Sequence, residues 1–190
     1  MSKGLFFVVS APAGAGKNTL VERLKAEFPH ISESVSYTTR QMRPGEEDGR
    51  EYHFISRKEF ERKRDLGDFL EYANVFGEFY GTGRQDIEAA TKLGKHVFLV
   101  IDTQGAMQLK GKLPAIFIFI TAPSMAELRC RLRKRNTESI EEIEERLSQA
   151  EREMAAAGQY NYVICNDDLN KAYAELRNIL IAEEESKGKS

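Results

Sequence analysis

The run Ala11-Pro12-Ala13-Gly14-Ala15-Gly16-Lys17-Asn18-Thr19 holds the residues best suited to chemistry. Two glycines separated by one residue let a backbone curl until successive N–H groups point at one anion. A lysine directly after them can reach the β- and γ-phosphates of a nucleotide, and a helix starting there adds its positive end. The phosphate-loop pattern asks for Gly, four residues, then Gly-Lys and Ser or Thr. Here Ala11 replaces the first Gly, and Asn18 replaces the hydroxyl residue that would ligate Mg2+. Alanine is tolerated at that place if the local φ is negative and is costly if it is positive. The Asn18 carbonyl oxygen, or the Thr19 hydroxyl beside it, could still serve Mg2+. A dinucleotide-binding turn is excluded, because Thr19 stands where a third small residue is needed. The run reads as a nucleotide phosphate site.

Further positive charge lies downstream. Arg131 and Arg135 are one helical turn apart and share a face, and Arg146 follows in the next helix. Arg129 and Arg133 form the solvated side of the same basic run. The glutamates of 138–145 read as a charged helix face rather than as paired acids. His30, His53 and His96 are scattered, and Cys130 and Cys165 lie in no CxxC. A His/Cys metal centre and a disulfide framework are therefore excluded.

Strands and helices in alternation must position the loop. Four short apolar segments, Leu5–Val9, His96–Ile101, Ala115–Ile120 and Tyr162–Cys165, lack the alternation of half-exposed strands and read as buried parallel ones. Helical stripes fall at Lys17–Phe28, Met125–Arg135, Ile140–Ala157 and Leu169–Ala182. The expected fold class is α/β, a parallel sheet flanked by helices, with the phosphate loop between its first strand and first helix. Ser34–Gly83 breaks the rhythm. It is rich in Arg, Gly, Tyr and Thr and reads as a small inserted α+β region, a place where specificity often resides.

Composition narrows the class further. The chain has 190 residues, about one domain, and about a quarter are Leu, Ile, Val or Phe, enough for a real core. Lys and Arg number 28 against 30 Asp and Glu, a net charge of -2, so no global basic field draws nucleic acid or an anionic membrane. The longest unbroken apolar run, Ala115–Ile120, is far short of the ~20 residues that span a bilayer. Leu5–Val9 is too short for a secretory signal core. The expectation is a soluble protein of a reducing, cytoplasmic compartment; oligomeric state stays open.

Beyond the loop, Ser34-Val-Ser-Tyr-Thr-Thr-Arg40-Gln-Met-Arg43-Pro-Gly-Glu and Gly49-Arg-Glu-Tyr52-His-Phe closely resemble the nucleotide-recognition segment of guanylate kinases. The likeness continues through Phe69-Leu-Glu71-Tyr, Phe79-Tyr80-Gly-Thr82, Ile101-Asp102-Thr-Gln-Gly105 and Asn166-Asp-Asp-Leu169, in order and with compatible spacing. The resemblance implies a single domain over 1–190. Its core would be 1–33, 85–123 and 155–190, with a GMP-binding region at 34–84 and a lid at 124–154. It implies transfer of the γ-phosphoryl of ATP to GMP, with Mg2+ as the accompanying ion.

Residue roles follow from the same resemblance. Glu71 and Asp102 would accept from the N1 and N2 donors of guanine, and the Ser36 and Thr82 hydroxyls would serve O6. Adenine would leave those groups mismatched, at about 1–3 kcal/mol for each unpaired buried group. Arg40, Arg43, Tyr52 and Tyr80 match the positions for the GMP phosphate. Lys17, Arg40, Arg131, Arg135 and Arg146 would neutralise the transferring phosphoryl. Asn166, Asp167 and Asp168 match the segment near the ATP base, although Asp168 is equally suited to cap the last helix. Two further departures stand out. Val100 occupies a place where the family usually has an acid, so Asp102 could serve guanine, metal-bound water or both. Asn136 stands where a Gly often precedes Thr137-Glu138. Two alternatives remain: a binding module of guanylate-kinase type, favoured by Asn18, and a kinase for another nucleoside monophosphate, opposed by Glu71 and Asp102.

Overall fold

A computed structural model describes residues 4–135 and 139–188, the side chains of Asp86 and Arg135 lying outside that description. The first strand, β1 (Phe6–Ser10), is Phe-Phe-Val-Val-Ser and buried at every position, so it has no solvated face and must be an interior strand. A loop leads into α1 (Lys17–Glu27), which buries Leu20, Val21 and Leu24. Next come β2 (Ile31–Glu33), β3 (Tyr37–Thr38), β4 (His53–Phe54) and α2 (Arg57–Asp65). A hairpin of β5 (Phe69–Val75) and β6 (Glu78–Gly83) is followed by α3 (Arg84–Lys92), β7 (His96–Val100) and α4 (Thr103–Leu109). The chain ends with β8 (Ala115–Thr121), α5 (Met125–Arg135), α6 (Ile140–Ala155), β9 (Tyr162–Cys165) and α7 (Leu169–Gly188).

Two sheets result. The five-stranded one has the order β2-β7-β1-β8-β9, and its pairs β2/β7 and β8/β9 are parallel, with Ile31 opposite His96 and Ile118 opposite Tyr162. The four-stranded one has the order β4-β3-β6-β5 and is mixed: β3 runs parallel to β4 and antiparallel to β6. The α/β class expected from the sequence is the one observed.

The chain divides into two compact units. One comprises the residues up to Phe7 with His30–Ala115. Its interior is aromatic: Phe7 stacks on Phe98 at 4.6 Å, and Phe60 stacks between Phe69 at 4.5 Å and Phe79 at 5.3 Å. The other comprises Val8–Pro29 and the chain from Ile116 onward. Ile118, Phe119 and Ile120 of β8 are fully buried there, as are Leu128 and Leu132 of α5 and Leu176 of α7. Glu27, at the end of α1, accepts from the Tyr173 hydroxyl and from Arg177 Nε (2.6 Å), both on α7.

All four expected strands and all four expected helices are present, with shifts at their ends, but β9 is not the buried strand expected: it ends the sheet order, and Val163 and Cys165 on it are exposed. Periodicity did not reveal β2, β3, β4, α2, α3 or α4. β2 has three residues, two of them polar, too few to show any period. α4 carries Gly105 in its middle and α2 only one buried apolar residue, Phe60. The tight turn of the β5–β6 hairpin contains Phe76 at φ 54 and Gly77 at φ 84, both left-handed. Among the described residues Phe76 is the one non-glycine with positive φ. Such a turn favours Asn-Gly, and a bulky residue there carries about 1–2 kcal/mol of backbone strain. Phe76→Asn should therefore stabilise the fold by about 1 kcal/mol, read as a higher denaturation midpoint at unchanged denaturant slope.

Candidate functional site

The phosphate loop belongs to the second unit. Gly14 and Gly16 both adopt left-handed backbone, φ 88 and 92, which is the conformation that turns neighbouring N–H groups to one side. Gly16 is also the N-cap of α1 and, lacking a side chain, makes no cap hydrogen bond to the first turn of that helix. Ala11 is buried and its φ is not positive, so alanine in place of glycine there carries no strain. Lys17 is half-buried at the first helical position, while Asn18 and Thr19 are exposed beside it. A side chain on Gly14 would meet Leu128 and Leu132, so α5 lies directly over the loop.

α5 also carries Arg131. Its Nε pairs with Glu127 at 2.8 Å, and its other end donates to the Asn166 carbonyl at 2.9 Å. Arg146 is half-buried on α6. Arg129 forms a two-pronged pair with Glu144, tying α5 to α6 instead of standing free in solvent, whereas Arg133 is exposed as expected. The side chain of Arg135, and residues Asn136 to Glu138, lie outside the described residues. Asn166 is buried, and its side-chain amide donates to the Ala15 carbonyl at 2.8 Å. Asp168 accepts from the N–H groups of Asn170 and Lys171, both at 3.0 Å, and so caps α7, one of the two roles its sequence allowed.

The remaining candidates lie in the first unit. Glu71 on β5 is 4% exposed, and Thr82, directly opposite on β6, donates its hydroxyl hydrogen to the carboxylate. Burial pushes the Glu71 carboxyl up to about 7; the Thr82 hydrogen bond opposes that rise and the nearby Asp102 charge adds to it. With its proton committed to Glu71, Thr82 here orders the carboxylate, a different task from the O6 contact expected of it. Asp102 caps α4, its Oδ1 accepting from the Gly105 N–H at 2.8 Å. A methyl group on Gly105 would overlap the Glu71 carboxylate and press on Asp102, so this glycine is where the helix and the buried acid come closest. Ser36 is buried just before β3. Val100 ends β7 and supplies no carboxylate.

A second cluster gathers Arg40, Tyr52 and Tyr80. The Arg40 guanidinium lies 5.5 Å from the Tyr52 ring, and the two tyrosine rings meet edge to face at 5.7 Å. Burial, then the Tyr80 neighbour, raises the Tyr52 hydroxyl, which keeps it a neutral donor. Arg43 is exposed on the adjoining turn. The residue that organises this cluster is Glu46, which sequence reasoning quoted but gave no role. Its Oε1 receives Arg40 at 2.8 Å and its Oε2 receives the Arg43 N–H at 2.8 Å. Burial alone would raise the Glu46 carboxyl, but these hydrogen bonds outweigh it and hold the group below its usual range. The signal was present in the Pro-Gly turn, which folds an acid back onto the arginine three residues before it.

Among the described residues no helix is long and apolar enough to cross a membrane. Comparison with known proteins covers almost the whole chain. The family model described as guanylate kinase matches residues 3–183. A guanylate kinase from Protochlamydia amoebophila is 56% identical over 181 residues, covering 95% of this chain and 92% of that protein. One from Chlamydia felis is 50% identical over 179 residues, covering 94% and 88%. The crystal structure of guanylate kinase from Anaplasma phagocytophilum superimposes with a TM-score of 0.77 at 37% identity, covering 96% of this chain and 87% of that one. Identity at this level, sustained along the full run of motifs from the phosphate loop to the last helix, places the chain in the guanylate kinase family.

Proposed function

We propose that the chain catalyses transfer of the γ-phosphoryl of ATP to GMP, giving ADP and GDP, in purine nucleotide metabolism. An oxygen of the GMP phosphate attacks the γ-phosphorus while the bond to the β–γ bridging oxygen breaks, and ADP leaves. The observation that carries the choice of acceptor is the buried Glu71, held by Thr82 against α4. Ionised, it accepts from the N1 and N2 donors of guanine; adenine presents no matching pair there. Ser36 and Asp102 complete the base-binding set, and Arg40, Arg43, Tyr52 and Tyr80 hold the GMP phosphate. The loop Ala11–Thr19 holds the ATP phosphates, with Lys17 on the transferring group. Arg131, Arg135 and Arg146 neutralise the charge that spreads over its oxygens, the principal catalytic demand of phosphoryl transfer. In this reading 34–84 is the GMP-binding region, 124–154 a lid, and the rest the core of one domain. Cys130 and Cys165 are exposed free thiols, which supports a reducing compartment such as the cytoplasm.

The donor set around the loop fits Mg2+ sparsely. Residues 11–19 contain no carboxylate. The Asn18 amide oxygen, with the Thr19 hydroxyl beside it, would hold the ion, and the nucleotide phosphates would supply the negative charge. Bound there, Mg2+ neutralises phosphate charge. Every other contact in the reaction falls to the side chains above.

An ADP-release assay with ATP, Mg2+ and GMP, AMP, UMP, CMP or dTMP in turn tests this function. Turnover confined to GMP is expected. Binding of GMP without turnover would convert the reading to a binding module, and turnover of a different monophosphate would overturn the role of Glu71. Replacing Asn18→Ser should lower the Mg2+ concentration that gives half-maximal rate; an unchanged requirement would assign the position to Thr19 or water.

The raised Glu71 carboxyl generates a pH dependence. GMP requires the ionised form, so its affinity should rise up to about tenfold per pH unit below 7 and level off above about 8. Glu71→Gln should bind GMP weakly and retain only the titration of the GMP phosphate itself, with ATP binding unaffected. In the free protein the sign is reversed. Stability is greatest below the ordinary carboxyl range and declines as pH rises through about 7, by about 3 kcal/mol in total. Calorimetric titration with GMP and denaturation across pH 5–9 check the two halves of this prediction.

A further inference from the structure

Asn166 is 5% exposed, while Asp167 and Asp168 after it point to solvent. Its backbone N–H donates to the Thr121 carbonyl at 2.7 Å, which fixes the residue at the end of β9 against β8. Its side-chain Nδ2 donates to the Ala15 carbonyl at 2.8 Å, a contact spanning 151 positions of sequence. A carbonyl only accepts, so the orientation of the amide is determined: Nδ2 faces the loop. Its own carbonyl receives Arg131. The amide occupies the space a side chain on Gly16 would need, so residue 16 must lack one for a second reason besides its positive φ.

In a trans peptide the C=O of one residue and the N–H of the next point in opposite directions. Pinning the Ala15 carbonyl toward Asn166 therefore sends the Gly16 N–H away from Asn166. We infer that Asn166 is a positioning residue for ATP: its side-chain amide locks the Ala15–Gly16 peptide so that the Gly16 N–H faces the phosphates. It touches no reacting atom and acts through the loop. The same residue, through its main chain, anchors the guanidinium of Arg131, so loop and arginine share one support. The inference rests on the reading of this loop as the ATP phosphate site.

Asn166→Ala removes the donor, and Asn166→Asp keeps the shape but can donate only while protonated. In the full-length chain, Asn166→Ala should raise the KM for ATP by about tenfold, the effect expected of a buried acceptor left unpaired, and leave the Kd for GMP unchanged. Asn166→Asp should resemble the wild type at low pH and lose ATP affinity relative to it as pH rises, whereas the Ala variant differs from wild type by a constant factor. Unaltered GMP binding shows that the variants are folded. A merely structural role would lower thermal stability with no pH-dependent separation of the two variants. An Asn166→Ala protein that binds ATP as tightly as wild type, or one that loses ATP and GMP affinity equally, overturns the inference. A wild-type protein that binds no ATP overturns instead the reading of the loop itself, so the two failures are told apart.

Discussion

The chain between β1 and α1 reverses direction through left-handed backbone, and the proposed phosphate site depends on that turn. Gly14 and Gly16 supply it at φ 88 and 92. The rest of that unit is arranged around the turn. β1 is buried on every side, which fixes where the loop starts, and α1 begins at a residue with no capping side chain. Leu128 and Leu132 cover the loop from α5, and Asn166 reaches it from β9. A capping Ser or Asp at residue 16 would make a better isolated helix and a worse anion site, because its oxygen would take the N–H groups a phosphate needs.

The buried acid of the first unit follows a different logic. A carboxylate that is 4% exposed is disfavoured as a charge, and here it is held in place by one hydroxyl across the hairpin and by the close approach of α4. In the proposed function, a base with two adjacent donors would satisfy that unmet electrostatic demand. Selectivity in that proposal would arise from a group kept unfavourable until the correct partner arrives, the usual way a hydrogen-bonding pocket rejects an analogue. The cluster around Arg40 is more forgiving. Arg40 already has Glu46 as a partner, so it is ordered and charged before any ligand comes.

Much of this was legible in the chain itself. Buried strands announce themselves by short β-branched and aromatic runs, and β1, β7 and β8 fell where those runs lie; the same kind of run also marked β9, which is an exposed edge strand. The loop was visible because glycine spacing and one lysine report a backbone shape directly. The inserted region was recognisable only as a break in rhythm, since strands as short as β3 and β4 have no period to detect. Side-chain commitments were the least accessible. Nothing local says that Thr82 spends its hydrogen on Glu71, that Arg129 pairs with Glu144, or that Asn166 reaches back to Ala15. Those contacts arise only once the elements assemble: the first across the β5–β6 hairpin, the second between α5 and α6, and the third across 151 positions of sequence. Asp168 was the opposite case, its capping role being written in the residues on either side of it.

Gly105 shows where sequence constraint extends past the binding residues. It offers no polar side chain, yet a single methyl group there would collide with the acid assigned to the base. Its tolerance to change is set by the distance between a helix turn and a carboxylate, so a survey of ligand contacts alone would count it as neutral. For anyone seeking to alter acceptor preference, that makes position 105 a steric dial. Small changes of volume there would tilt Glu71 without touching its charge, and would reshape the base pocket from behind.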